Sequence, residues 1–331
     1  LGGVQNLLKS QGIVPSGKVV IAGTGPLLFY TAAQLVKNGV KVAAVVEASP
    51  FSKWFQWSLR LLRAPRVLLD GMKYYWILIR HKIPVYYSSV VSRTSGTDRL
   101  QEIVISRLDK KWVPVHDKEM TLHSDYLCLN FGFIPSTQFT HLAGCEHVYD
   151  QDYRGWVPKV DQNMETTQEG IFAAGDGTEI GGVKTAVLEG EAAGLTMAAR
   201  LGYLEKEEAN TRIKKVQRAI RRRRWYSRFL RDIYAFRPGL YRLLEENTLI
   251  CRCEEVTYGQ LQEAFQTQPQ DLARIRILSR MGMGRCQGRF CYPTLLGLLA
   301  ADRKPEEMAA YDYRARPPLK PIPIKDIVGL Q

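Results

Sequence analysis

The sequence predicts an α/β protein in which a Rossmann-like nucleotide-binding fold is followed by a small, all-α, cysteine-bearing domain. Three observations carry this. Residues 18–47 alternate strand, glycine turn, helix and strand; residues 170–201 show a second strand, glycine turn and helix; and four of the six cysteines form two close pairs near the C-terminus. A chain of 331 residues has room for two or three domains, and 45% hydrophobic with 24% charged residues is an ordinary globular composition.

Residues 1–15 suit one amphipathic helix. An apolar strand from Lys18 then runs into Gly23-Thr24-Gly25-Pro26. Gly23 permits a tight turn, and Gly25 lets the backbone approach a pyrophosphate at the start of the helix over 28–38. Leu28 stands where a third glycine would complete the motif. The strand over 40–46 closes on Glu47, at the distance where an acid holds ribose hydroxyls, which favours NAD or an adenosine nucleotide such as ATP over NADP. Ser49 and Lys53 weaken that preference. The competing reading is a Rossmann-like domain that keeps the turn for packing alone.

Helical material is expected over 51–81, interrupted by Pro65, then strands over 85–91, 102–108, around 112–115 and over 125–131. A buried strand over 170–174 delivers Gly175-Asp176-Gly177, and a helix follows over 183–201. An aspartate between two glycines suits a carboxylate accepting hydrogen bonds from a sugar-alcohol chain. The helix dipole would face an anionic ring or phosphate, and Gly181, Gly182 and Thr185 allow close approach. An ordinary strand–turn–helix with an Asp cap is the plainer reading.

Cys251 and Cys253 form C-x-C, and Cys286 and Cys291 form C-x4-C, with helical sequence between. Four thiolates are what a [2Fe–2S] cluster takes. Zinc more often uses C-x2-C or wider spacing, and two disulfides are not needed in a chain of this size. Arg252, Arg285 and Arg289 flank the cysteines, either stabilising an anionic cluster or lying free in solvent. Cys128 and Cys145 read as packed thiols. His81, His116, His123, His141 and His147 are scattered without triad or metal spacing, so no catalytic residue is assigned.

The net charge of +13 is concentrated between Arg212 and Arg231, where Ile213, Val216, Ile220, Phe229 and Leu230 recur at helical intervals. This basic amphipathic helix reads as a solvated linker; an acidic partner, anionic lipid or RNA is the alternative, though no nucleic-acid module accompanies it. No signal peptide and no apolar run of membrane-spanning length is present, so a cytoplasmic protein is expected, at most peripheral at the inner face of the membrane. Leu1 is not an initiator methionine, which suggests the interior of a longer polypeptide or a processed product. Pro317, Pro318, Pro321 and Pro323 predict an extended tail.

The run 125–135, with 170–177 and Glu189-Gly190-Glu191-Ala192-Ala193-Gly194, resembles the return half of flavoproteins built from two dinucleotide-binding domains. There the NAD-like domain is inserted into the FAD domain, and the position of Asp176 contacts the ribityl and phosphate region. With the four cysteines and the run 283–291, the whole chain resembles the α subunits of heteromeric flavin-dependent amine dehydrogenases: opine oxidase, hydroxyproline or proline dehydrogenase, and hydrogen cyanide synthase. The C-terminal piece resembles the bacterioferritin-associated-ferredoxin-like (BFD-like) [2Fe–2S] domain.

The resemblance implies a remnant of the FAD domain over 1–16, an NAD-like domain over 17–122 and the FAD return half over 123–205. A basic linker over 206–247, the [2Fe–2S] domain over 248–301 and the tail over 302–331 complete the chain. It begins after the place of the first FAD glycine turn, so the implied FAD site is incomplete here. The implied role is an electron-transfer subunit that relays electrons from a partner flavin-carrying β subunit through FAD and the cluster to a quinone or similar acceptor. A stand-alone NAD(P)H-dependent flavin/iron–sulfur reductase and a zinc-binding assembly module are the alternatives.

Overall fold

The computed structural model describes residues 1–53, 65–267, 271–301, 303–312, 316–319 and 322–328. The chain divides into two units, Leu1–Gly132 with Phe229–Leu243, and Phe133–Arg228 with Leu244–Gln331.

In the first unit, helix α1 (Gly2–Gln11) stops at Gly12, whose left-handed backbone returns its amide to the last turn. Strand β1 (Val19–Gly23) is buried throughout, and Pro26 opens helix α2 (Pro26–Lys37), where its missing N–H costs nothing. Strand β2 (Val42–Glu47), helix α3 (Pro65–Arg80) and strand β3 (Val85–Tyr87) follow. Strands β4 (Ser89–Ser95), β5 (Glu102–Leu108), β6 (Pro114–His123) and β7 (Tyr126–Asn130) complete the unit's strands.

A parallel sheet has the order β3-β2-β1-β7, and an antiparallel sheet has the order β4-β5-β6. Alternation along β1 explains its unbroken apolar run. Val19 and Ile21 pack with Leu28, Ala32 and Leu35 of α2, while Val20 and Ala22 pack with Ile103 and Ile105 of β5.

Three expectations change here. The strand over 85–91 splits at Ser88, whose φ of 49° diverts the chain from the parallel to the antiparallel sheet. Trp112 lies in a turn rather than a strand, and β6 runs on to His123. Its polar residues hide an edge strand that pairs Leu122 with Ile103 and Met120 with Ile105. Strand β7 pairs with β1 from Val19↔Tyr126 to Gly23↔Asn130, so it belongs to this unit and not to the segment beginning at 123. Of the helical stretch expected over 51–81, residues 54–64 lie outside the described residues.

In the second unit, a short helix α4 (Gln138–Leu142) precedes the hairpin β8 (His147–Asp150) and β9 (Gly155–Pro158). Helix α5 (Val183–Arg200) is followed by the basic helix α6 (Lys206–Tyr234). Ala209, Ile213, Val216 and Ile220 recur every three or four residues and pack on Ala192, Ala193 and Leu195. The run 221–224 is largely exposed, as a solvated face requires.

The strand expected over 170–174 does not form. Only Phe172 bridges, to Glu165, because no described strand runs beside this segment to complete a ladder.

The cysteine domain adds a small hairpin, β10 (Leu249–Cys251) and β11 (Val256–Thr257), to the expected helices α7 (Tyr258–Thr267), α8 (Leu272–Ser279) and α9 (Tyr292–Ala300). Leu261, Ile275, Leu295 and Leu296 form its core with Trp156. In the tail a 3-10 turn spans Pro305–Tyr311 and a short helix α10 spans Ile324–Val328, so the tail is not extended throughout. Pro321 lies outside the described residues. Among the described residues no helix is long and apolar enough to cross a membrane.

Candidate functional site

Strand β10 delivers Cys251, the turn after it carries Cys253, and the loop between α8 and α9 carries Cys286 and Cys291. Folding brings the sulfurs together: Cys253 Sγ lies 3.8 Å from Cys251 Sγ and 3.5 Å from Cys286 Sγ. Burial, then Cys251, Cys286 and Cys253, push the Cys291 thiol up. Burial and the Cys286 thiol likewise push Cys253 up. Burial also acts upward on Cys286, but N–H groups of Phe290, Gly288 and Arg289, with the Cys253 thiol, overcome it and draw Cys286 below the ordinary thiol range.

The loop is shaped around these sulfurs. A Cβ on Gly284 would stand 2.7 Å from Cys253 Sγ, and one on Gly282 would stand 3.8 Å from Cys291 Sγ. Arg276 Nη2 donates to the Gly282 carbonyl at 3.2 Å, Arg280 pairs with Glu254 at 2.9 Å, and Arg252 lies over the Phe290 ring at 5.6 Å. Four converging thiols, with Gly284 leaving room for Cys253 Sγ, fit a thiolate-held cluster. Among the described residues no three His, Cys, Asp or Glu side chains close into a site for a single metal ion.

At the second glycine turn, Gly175 N donates to Glu189 Oε2 at 2.9 Å, and burial raises the Glu189 carboxyl. Asp176 has an exposed side chain, and its carbonyl accepts from Ser136 N at 2.8 Å. Gly182, φ 79°, precedes α5 with no side-chain cap, and Val183 and Val187 stand open to solvent. Thr185 Oγ1 is buried without a hydrogen-bond partner. An uncapped helix start, an exposed carboxylate and an orphaned hydroxyl suit one side of a flavin nucleotide.

The first glycine turn is different. A Cβ on Gly23 would meet the Asn130 carbonyl at 1.8 Å; that carbonyl accepts from Thr24 N at 2.7 Å, and Asn130 Nδ2 donates to Thr24 O at 3.1 Å. Glu47 does not face outward as a ribose-holding acid would. It is fully buried and accepts from Gly25 N at 3.1 Å and Ser49 N at 2.9 Å, and burial raises its carboxyl to about 8. Pro26 is exposed and has no N–H to offer.

His141 and His147 stack at 3.6 Å, and burial drives both down to about 4. Glu189, Asn130 and Gly284 escaped the sequence reading as individual residues, because each acts through one close approach that no spacing announces.

Residues 11–190 match the pyridine nucleotide-disulphide oxidoreductase family and residues 249–301 the BFD-like [2Fe-2S] binding domain. The HcnB subunit of hydrogen cyanide synthase from Pseudomonas aeruginosa is 34% identical over 100% of this chain and 70% of its own length. An opine oxidase subunit of Agrobacterium tumefaciens is 32% identical over 99% of this chain and 64% of its own. Among solved structures, L-proline dehydrogenase from P. horikoshii shares the fold with a TM-score of 0.59 at 18% identity, covering 97% of this chain and 51% of that one. The chain thus spans about half the length of that structure. These matches assign a [2Fe–2S] cluster and FAD as the cofactors.

Proposed function

Since the chain belongs to the pyridine nucleotide-disulphide oxidoreductase family, in the group of the HcnB subunit of hydrogen cyanide synthase and its opine oxidase counterpart, we propose that it is the electron-transfer subunit of a flavin-dependent amine or imino-acid dehydrogenase. The observation that carries this is the convergence of Cys251, Cys253, Cys286 and Cys291. When bound, FAD handles electron pairs and a [2Fe–2S] cluster handles single electrons. Cys251 and Cys291, each 1% exposed, would hold the cluster's buried side, while half-buried Cys253 and Cys286 face the surface. Gly175, Asp176, Gly177 and Gly182 would hold the flavin's ribityl and phosphate region, with α5 directing its N-terminal dipole there.

A separate flavin-carrying β subunit would oxidise the C–N bond of the substrate, and a quinone would take the electrons, with membrane association at most peripheral at the inner face. The NAD(P)H reductase alternative loses support because Glu47 and the Gly25 amide satisfy each other. The zinc alternative loses support because residues 249–301 match the BFD-like [2Fe-2S] binding domain.

Anaerobic co-purification with the β subunit should give about two irons and two sulfides per chain and a brown colour. Amine substrate should reduce the cluster, read by electron paramagnetic resonance, only when the β subunit is present. Iron-free protein that cannot be reconstituted, or full reduction by NADH without a partner, would sink this reading.

A further inference from the structure

In doubly wound sheets a dinucleotide lies in the crevice outside the carboxyl ends of the strands, where the strand order reverses. In the first unit that crevice lies beyond β1 and β7, with β2 alongside. It is lined by Thr24, Glu47, Ser49, Asn130 and Phe131.

The chain fills it with its own residues 229–243. The last carbonyls of any helix lack partners within the helix and must find them elsewhere. Here Ser49 Oγ donates to Ile233 O at 2.7 Å, and Lys53 Nζ donates to Asp232 O. Ser49 Oγ also lies 3.2 Å from Thr24 Oγ1, so the glycine turn, the end of β2 and the end of α6 form one network. Apolar contacts complete the plug: Phe236 meets Phe131 edge-on at 6.2 Å, and Leu240 packs with Ala48, Val90 and Trp112. Thr24 is 1% exposed, and Glu47 and Ser49 are 0% exposed.

We infer that this crevice is a closed, self-liganded site: the end of α6 occupies the place of an adenosine ribose, and the Gly23 turn takes neither pyridine nucleotide nor ATP. The glycine at position 23 is required by the Asn130 carbonyl, not by a phosphate. Ser49 and Lys53 serve as the helix cap. Electrons therefore do not enter from a nucleotide held at this turn.

The test is calorimetric titration of the full, cofactor-loaded chain with NAD, NADH, NADPH and ATP, alongside amide hydrogen exchange over 229–243. No saturable binding is expected tighter than about 1 mM, and millimolar nucleotide should leave exchange over 229–243 unchanged. A double variant, Ser49→Ala with Lys53→Met, should speed exchange over 229–236 about tenfold. Saturable binding to the unaltered protein that Glu47→Gln or Gly25→Ala weakens overturns the inference, as does unchanged exchange in the double variant. The titration needs no variant to fold. Iron content and amine-driven reduction are read separately, so nucleotide binding without NADH-driven reduction would overturn this inference and leave the redox assignment standing.

Discussion

Glu47 shows how one side chain can keep the appearance of a cofactor ligand while serving the fold. Its carboxyl bridges the Gly25 and Ser49 amides in a fully buried position, and burial lifts it from 4.5 to about 8. A carboxyl raised on folding binds its proton more tightly in the native state. Its contribution is therefore fully present below the unfolded value of 4.5 and is lost as pH rises through about 8. Glu47→Gln removes this titration. Thermal unfolding at pH 5 and pH 8 should show native protein losing on the order of a few kcal/mol more than the variant across that interval. Equal pH dependence in the two proteins would contradict the burial argument. The identity of Glu47 and its place at the end of a strand were legible in the sequence. Its burial was not, because the Ser49 beside it bonds Ile233, 184 residues away.

At the scale of elements, the loop between α8 and α9 carries the most specific prediction. It combines left-handed backbone at Arg280, Gly282, Gln287 and Gly288 with a glycine at 284 whose missing Cβ makes room for Cys253 Sγ. Gly284→Ala places a methyl 2.7 Å from that sulfur, inside any real contact distance. The variant should hold less than about half the native iron, by the cluster's visible absorbance, while far-ultraviolet circular dichroism stays native. Full iron content would show that the loop yields.

Elements with strong local signals were readable: β1 by its apolar run, α2 by Pro26, and α6 by its three-to-four spacing. Those that failed depended on neighbours. Strand β6 is polar because it is an edge, β3 and β4 part at one left-handed serine, and 170–174 lacks the adjacent strand that a ladder needs. The cysteine pairs were visible as spacing, whereas the glycine cradle around them needed the folded loop.

For the whole molecule, the two units rest on different foundations. The first has paired sheets and apolar cores on both faces of β1. The cysteine domain has a small core, in which Cys251 and Cys291 are themselves members beside Leu261, Ile275 and Leu295. Metal binding in such a domain contributes folding free energy directly. Anaerobic iron removal with a chelator should therefore raise amide exchange over 249–301 by at least about tenfold and leave exchange over 19–47 unchanged. A uniform rise along the chain would mean that the units unfold together.

The contact between Cys253 and Cys286 has a practical side. Sulfurs 3.5 Å apart, once stripped of iron in air, are close enough for oxygen to couple them, and a cross-linked pair no longer accepts metal. Bleaching on the bench would then record thiol damage rather than denaturation, and colour would return only after a thiol reductant has been supplied ahead of fresh iron and sulfide.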